Sequence, residues 1–288
     1  GNALSQFGDT AEKVQSFGWG GWVLMEGKFY QAADLPFYYI PYWLLRTTPE
    51  LLLILLGVAL VAVLALLRRW TRSKQWPPAG RLLPAAALVF AAIFPLAYLY
   101  VTQPVLYDGM RHFLFVLPPL AGVAALGLEF SLRFCERRGS ALATRAIQGG
   151  VSFGVLLLVI EMASLHPYQY VYFNHLSGGL PGAYQRAETD YWGASHKEAA
   201  EWLNAFADEI DPAGGRTFRV HQRYSRWMLK EHLDPERFEM TPERVGADFF
   251  VSITRFNLHT SYPEAKLLHV VERQGVPLCF VYAFEEEL

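Results

Sequence analysis

The sequence predicts an α-helical polytopic membrane protein, with four transmembrane helices and an interfacial helix, followed by a small α/β extracytoplasmic domain. Three observations predict it. Of 288 residues, 52% are hydrophobic and only 18% charged, which is too apolar for an ordinary water-soluble chain of this length. Four runs reach the roughly 20 apolar residues that a hydrocarbon core demands. The charge balance also changes at His166: residues 1–165 carry 13 Lys and Arg against 9 Asp and Glu, whereas residues 166–288 carry 12 against 18.

Residues 1–50 read as an extracytoplasmic loop with a juxtamembrane helix. Gly1 to Asp34 is polar and glycine-rich, without the basic patch and apolar run of a signal peptide. A non-cytoplasmic start with no anchor before it is expected of a chain cut from a longer protein. From Leu35 to Pro49, Phe37, Tyr38, Tyr39, Tyr42 and Trp43 alternate with prolines, a composition that suits a helix lying among lipid head groups. It reads either as an aromatic anchor or as an element shaping a cavity that opens outward.

Residues 51–165 hold the four spans, Leu51–Trp70, Leu82–Val101, His112–Leu132 and Ala146–Leu165. Basic residues in short loops stay on the cytoplasmic side. Arg68, Arg69, Arg72, Lys74 and Arg81 lie between the first two spans, and Arg133, Arg137, Arg138 and Arg145 between the last two; Thr102 to Arg111 has Arg111 alone. Both basic loops therefore face the cytoplasm, and the middle loop and residues 166–288 face outward, as expected for a bacterial inner-membrane protein. Cys135 and Cys279 fall on opposite sides of the membrane in this topology, so both are expected reduced.

Ionisable residues at membrane depth are costly and point to function. Asp108, Arg111 and His112 sit together where the third span meets the outer face, and Glu161 lies about one turn inside the outer end of the fourth. An arginine and a histidine at this depth suit the phosphate or pyrophosphate of a lipid carrier, because guanidinium is an always-charged, bidentate fork. The plainer alternative is that Asp108 pairs with Arg111 while Glu161 snorkels to the interface. Glu129, near the cytoplasmic end, reads as a partner for nearby arginines.

Residues 166–288 read as the outer α/β domain. Ser195-His-Lys-Glu198 has capping-box spacing, and Ala199, Trp202, Leu203, Phe206 and Ile210 recur at helical intervals, predicting a helix over His196–Ile210. Thr217–His221, Asp248–Ile253, Leu267–Val271 and Leu278–Phe284 read as strands, the last two forming a hairpin, and Tyr224–His232 as a short helix. Glu188, Asp190, Tyr191 and Trp192 suit sugar binding through stacking and carboxylate hydrogen bonds, or else form an interfacial joint to the membrane. No phosphate-binding glycine loop, metal-spaced cluster or nucleophile elbow is present. His166 and His175 read as packing rather than metal ligands, and Arg216, Arg219, Arg223 and Arg226 lie among many acids, which argues against nucleic acid.

The Leu35–Pro49 segment, the Tyr107-Asp-Gly-Met-Arg-His112 loop, and His166-Pro-Tyr-Gln-Tyr-Val-Tyr-Phe-Asn174 with Glu188-Thr-Asp-Tyr-Trp-Gly193 together resemble bacterial membrane glycosyltransferases of the C-type superfamily. The resemblance is to the branch related to protein mannosyltransferases and aminoarabinose transferases, glycosyltransferase family 39. It implies an enzyme that moves a sugar from a polyprenyl-phosphate carrier to an acceptor at the outer face, with Arg111, His112 and Asp108 near the carrier phosphate. Glu161, Glu188, Asp190, Tyr191 and Trp192 are the candidate sugar or acceptor contacts. The family's catalytic aspartate lies in a first outer loop that this sequence does not contain, so the chain reads as a C-terminal portion, inactive by itself. Expected partners are the lipid-linked sugar donor and membrane lipid; no cofactor is implied with certainty, and a divalent metal ion stays open. The alternative is a non-enzymatic, membrane-anchored extracytoplasmic binding domain.

Overall fold

The structure is a computed structural model that describes residues 18–284. Residues 1–17 of the expected outer loop and residues 285–288 lie outside the described residues, and so does the side chain of Arg81. The chain divides into two compact units. One contains Phe29–Ile160 and Phe173–Ser177; the other contains Leu24–Lys28, Glu161–Tyr172 and the chain from Gly178 onward.

The helical unit begins with α1 (Tyr39–Thr47) and continues through α2 (Glu50–Ser73), α3 (Ala79–Thr102), a 3-10 segment (Arg111–Val116), α4 (Leu117–Arg137) and α5 (Ala141–Ser164). The four long helices, α4 taken with its 3-10 lead-in, are long and apolar enough to cross a membrane. The predicted spans match these helices, the fourth running one residue past α5. Proline starts two of them, with Pro49 before α2 and Pro78 before α3, where a missing N–H costs nothing. Lys74 and Gln103 end those helices in the left-handed conformation that frees the chain to turn.

Small residues let α2 and α4 approach closely. A Cβ on Gly127 of α4 would lie 2.7 Å from the Leu55 carbonyl oxygen and 2.8 Å from the Ala59 amide nitrogen of α2. Ala59 and Ala124 are buried beside it. This is the small-residue packing that lets apolar helices gain dispersion contact without a hydrophobic driving force. On α1, Tyr39, Ile40, Tyr42 and Trp43 are buried, which fits an element packed within the unit. Asn174 is wholly buried and fastens Phe173–Ser177 to the end of α1, donating to the carbonyls of Leu45 and Thr48 at 2.6 and 2.8 Å.

The sheet unit contains α6 (Gly179–Ala183), α7 (His196–Ile210), β3 (Phe218–His221), α8 (Arg226–Lys230), β4 (Phe238–Thr241), β5 (Phe249–Ile253), β6 (Lys266–Arg273) and β7 (Val276–Ala283). Its five strands run in the order β4-β3-β5-β7-β6. β3 is parallel to both β4 and β5, while β7 is antiparallel to β5 and β6. Every residue of the central β5 is buried. α7 lays Ala199, Leu203 and Ala207 inward, with Phe206 edge-on to Phe249 and Trp202 stacked on His269. The predicted hairpin turns at Gln274 and Gly275, both at positive φ, the geometry that matches strand twist.

Three features depart from the expectation. β4 was not predicted, because Phe-Glu-Met-Thr is short and followed by Pro242. The region expected as outer loop holds two strands, β1 (Trp22–Met25) and β2 (Lys28–Gln31), turning at Glu26 and Gly27. The capping box does not form: Ser195 makes no side-chain cap bond, and Glu198 instead accepts from Tyr168 and Arg273.

Gly127→Ala is expected to destabilise the chain by about 1–3 kcal/mol through overpacking, read as a lower thermal midpoint in detergent. Gly149→Ala, on α5 with no atom within 4 Å of the added Cβ, is expected to be neutral or stabilising. Equal effects of the two would contradict the close α2–α4 contact.

Candidate functional site

Two groups of polar residues stand out, one in each unit. In the helical unit the chain between α3 and α4 turns through two consecutive left-handed residues, Asp108 and Gly109. The Tyr39 hydroxyl donates to the Gly109 carbonyl at 3.1 Å, and a Cβ at position 109 would sit 3.4 Å from the Trp43 ring. The turn is thus held by α1, whose aromatics the sequence marked. It buries Asp108 and brings its carboxylate 3.0 Å from Arg111 Nη1. The Arg111 side chain remains 43% exposed, with its guanidinium 5.7 Å from the Tyr107 ring centre. His112 stands edge-on to the same ring at 4.5 Å, and its Nε2 is buried without a hydrogen-bond partner.

Asp108, Arg111 and His112 are therefore one cluster, as their spacing suggested. The pairing of Asp108 with Arg111 is also what the plainer alternative requires. Chemically the cluster offers a guanidinium oriented by a buried carboxylate, beside an imidazole and a phenol ring, a set that can receive a phosphate oxygen. Glu161 belongs to the other unit, where its carboxylate accepts from Gln274 at 2.8 Å.

In the sheet unit Glu188 and Arg255 form a buried pair, 3.6 Å apart, with side chains 4% and 2% exposed. Arg255 also donates to the Tyr191 carbonyl at 2.7 Å and lies between the rings of Tyr224 and Phe256. Phe256 and Asn257, which follow it, both hold left-handed backbone, a strained state for a side chain as bulky as phenylalanine. Glu188, Tyr191, Arg255, Phe256 and Asn257 line a narrow cleft with Thr189, Thr254 and His259. Its open volume is about 20 Å³, room for a water rather than a pyranose. His259 stacks on Phe280, its Nδ1 is buried without a partner, and burial lowers its pKa.

Asp190 does something the sequence reading did not assign. Its carboxylate accepts from the amides of Gly193, Ala194 and Ser195 at 2.7, 3.2 and 3.0 Å, and from the hydroxyls of Ser195 and Tyr170. It does the work of the missing capping box, collecting the amide groups that lead into α7. With five donors on its two oxygens and 1% exposure, Asp190 acts as a structural hub at the start of α7. Burial and the Asp190 charge together push the Tyr170 phenol pKa up. Tyr191 is packed edge-on to Tyr170 and to Trp192, which is half exposed.

Other buried titratable groups support the core. His196 is fully buried, takes a hydrogen bond from Gln222 at 2.7 Å, and is lowered by burial to about 4, so it is neutral at pH 7. Burial pushes the Cys279 thiol up; both cysteines are free thiols. Among the described residues no group of three or more His, Cys, Asp or Glu could hold a metal ion. His166 and His175 are both exposed; His166 pairs with Gln169, and His175 lies 3.7 Å from Glu50. Arg255 and His259 were missed by the sequence reading; the available signal was an arginine placed two residues after a wholly buried strand.

No protein-family model matches the chain, and comparison with curated proteins and with solved structures finds no match.

Asp190→Ala is expected to cost about 3 kcal/mol or more, because several buried donors lose their acceptor at once, read in denaturant unfolding. Stability is also expected to fall with acid. His196, His221, His259 and His269 all have pKa values lowered by burial. Their stabilisation is complete above the unfolded value of about 6.5 and is lost as pH falls toward the folded values, with His196 alone contributing about 3 kcal/mol. Unfolding midpoints that stay level from about pH 7 to about pH 4 would contradict buried neutral histidines.

Proposed function

We propose that this chain is the C-terminal part of a membrane glycosyltransferase that takes a sugar from a polyprenyl-phosphate carrier and transfers it to an acceptor on the outer side of the membrane. The observation that carries the reading is the Asp108–Arg111–His112 cluster at the start of a helix long and apolar enough to span. A buried carboxylate holding a half-exposed guanidinium at that position suits a lipid phosphate better than a loop that merely joins two spans.

Membrane placement is supported by the surfaces of the long helices. Ile54, Leu60 and Val61 of α2, Phe90 and Ile93 of α3, and Leu156, Val159 and Ile160 of α5 are each more than half exposed. Apolar area on that scale is sustained by lipid rather than by water. The arginine-rich connections support an outer position for the loop between α3 and α4, and the inner membrane of a bacterium is the location that fits the resemblance.

In the proposed reaction the bond between the sugar's anomeric carbon and the phosphate oxygen breaks, and the acceptor oxygen takes the sugar. Arg111 offsets the negative charge growing on the departing phosphate, with Asp108 as its positioning residue. The proton of the acceptor hydroxyl goes to an acidic residue expected outside this chain. Trp192, half exposed, is the proposed residue to stack on sugar or acceptor.

A second reading is favoured by the Glu188–Arg255 cleft. Its buried charges beside two strained residues suit a binding domain whose helices serve as an anchor. The two are separated by binding of a polyprenyl-phosphate-linked sugar to the chain in lipid nanodiscs. Arg111→Ala is expected to weaken binding at least tenfold, the scale of a charge-assisted contact. Unchanged binding would remove Arg111 from the site, and no binding by the parent chain would favour the anchored domain.

A further inference from the structure

At the arginine-rich end of the helical unit, α2 and α4 leave a groove of about 400 Å³ between them, within the range of small-molecule sites, roughly 300–1,000 Å³. Leu66, Phe130 and Phe134 form its apolar part, and Arg69, Arg133 and Arg137 its charged part. The two phenylalanine rings stack at 6.4 Å with only 18° between their planes. Glu129 is the one carboxylate on the lining, and Arg133 takes it at 2.5 Å. Arg69 and Arg137 have no carboxylate within ion-pair distance among the described residues.

Two general effects favour arginine here. Basic groups complement the partial negative charge at a helix C-terminus, and they mark the cytoplasmic side of a membrane protein. Neither effect requires three guanidinium groups from two helices to line one groove above a stacked aromatic floor. A ligand that uses both parts has a phosphate with no balancing cation and an attached apolar chain. Guanidinium matches the planar face of phosphate oxygens, and the phenylalanine floor matches acyl carbon.

We propose that this groove is a binding site for the head group and upper acyl chain of an anionic phospholipid in the cytoplasmic leaflet. The inference rests on the proposed membrane placement but not on glycosyl transfer. It is also distinct from the Arg111 cluster, which lies at the other end of α4, about 32 Å away at the rise of an α-helix over its 21 residues. Bound there, the lipid neutralises Arg69 and Arg137 and bridges α2 to α4 at the end farthest from the carrier cluster.

The test is lipid retention by the purified full chain, measured by native mass spectrometry with phosphatidylglycerol or phosphatidylcholine. Phosphatidylglycerol is expected to be retained preferentially. Arg69→Gln and Arg137→Gln are each expected to lower its retention about fivefold, the contribution of one basic residue to anionic-lipid attraction. Arg145→Gln removes a like charge from α5 outside the groove and is expected to leave retention unchanged. Equal retention of the two lipids, or an equal loss in all three variants, would overturn the site. Displacement of bound phosphatidylglycerol by excess inorganic phosphate would reassign it to a soluble anion. Liposome flotation of the parent chain separates the two levels of the argument. Failure to float would overturn the membrane placement and the lipid site together, whereas flotation without selectivity would overturn the lipid site alone.

Discussion

A peptide group in hydrocarbon has no water to bond with, so a segment placed there must satisfy its own N–H and C=O groups. The long helices of the helical unit suit that constraint, with Pro84 and Pro95 inside α3 each lacking an amide donor. α2, α3 and α5 each run 24 residues, about 36 Å at helical rise against a hydrocarbon thickness near 30 Å. Irregular backbone falls in the connection before α4, where Asp108 and Gly109 take left-handed geometry and the aromatics of α1 cover the turn, and at Phe113 in the 3-10 lead-in to α4. In a bilayer apolar side chains would gain nothing by hiding from lipid, and helix pairing would fall to close fit. Gly127 against Ala59 is such a close fit, with 2.8 Å from an added Cβ to the Ala59 amide nitrogen.

The sheet unit depends on a different kind of constraint. Its core is an ordinary one of alternating buried strands under α7, and the costly element is the run of amide groups that leads into that helix. Asp190 meets that cost with a single buried carboxylate. The same residue orients Tyr170, and through Ser195 it stands beside Cys279 and the neutral His196. One acid thus fixes the start of α7 and the polar end of the sheet core. The Glu188–Arg255 pair lies next to it in the chain and keeps a buried charge balanced beside strained backbone.

The long helices were legible in the sequence because a run of some twenty apolar residues has few other solutions. The bounds of α7 were legible because its apolar positions recur at helical spacing and Asp211-Pro follows. Asp108, Arg111 and His112 were legible because all three fall within five residues. What escaped was non-local or locally weak. β4 is four residues long and is created by pairing with β3. Ser195 and Glu198 satisfied a local rule that long-range partners overrode, Asp190 for one and Tyr168 with Arg273 for the other. Glu188 gave no hint of a partner 67 residues away in the chain.

The proposed lipid-phosphate site, the proposed outer-face reaction and the proposed lipid groove all take their sides of the membrane from the topology. Single cysteines placed at Ser73, Gln103, Ser140 and Glu209, in a chain with Cys135→Ser and Cys279→Ala, would be challenged on intact cells with a membrane-impermeant maleimide. The account predicts that positions 103 and 209 label from outside, while 73 and 140 label only after permeabilisation. Labelling of 73 and 103 alike from one side would contradict it.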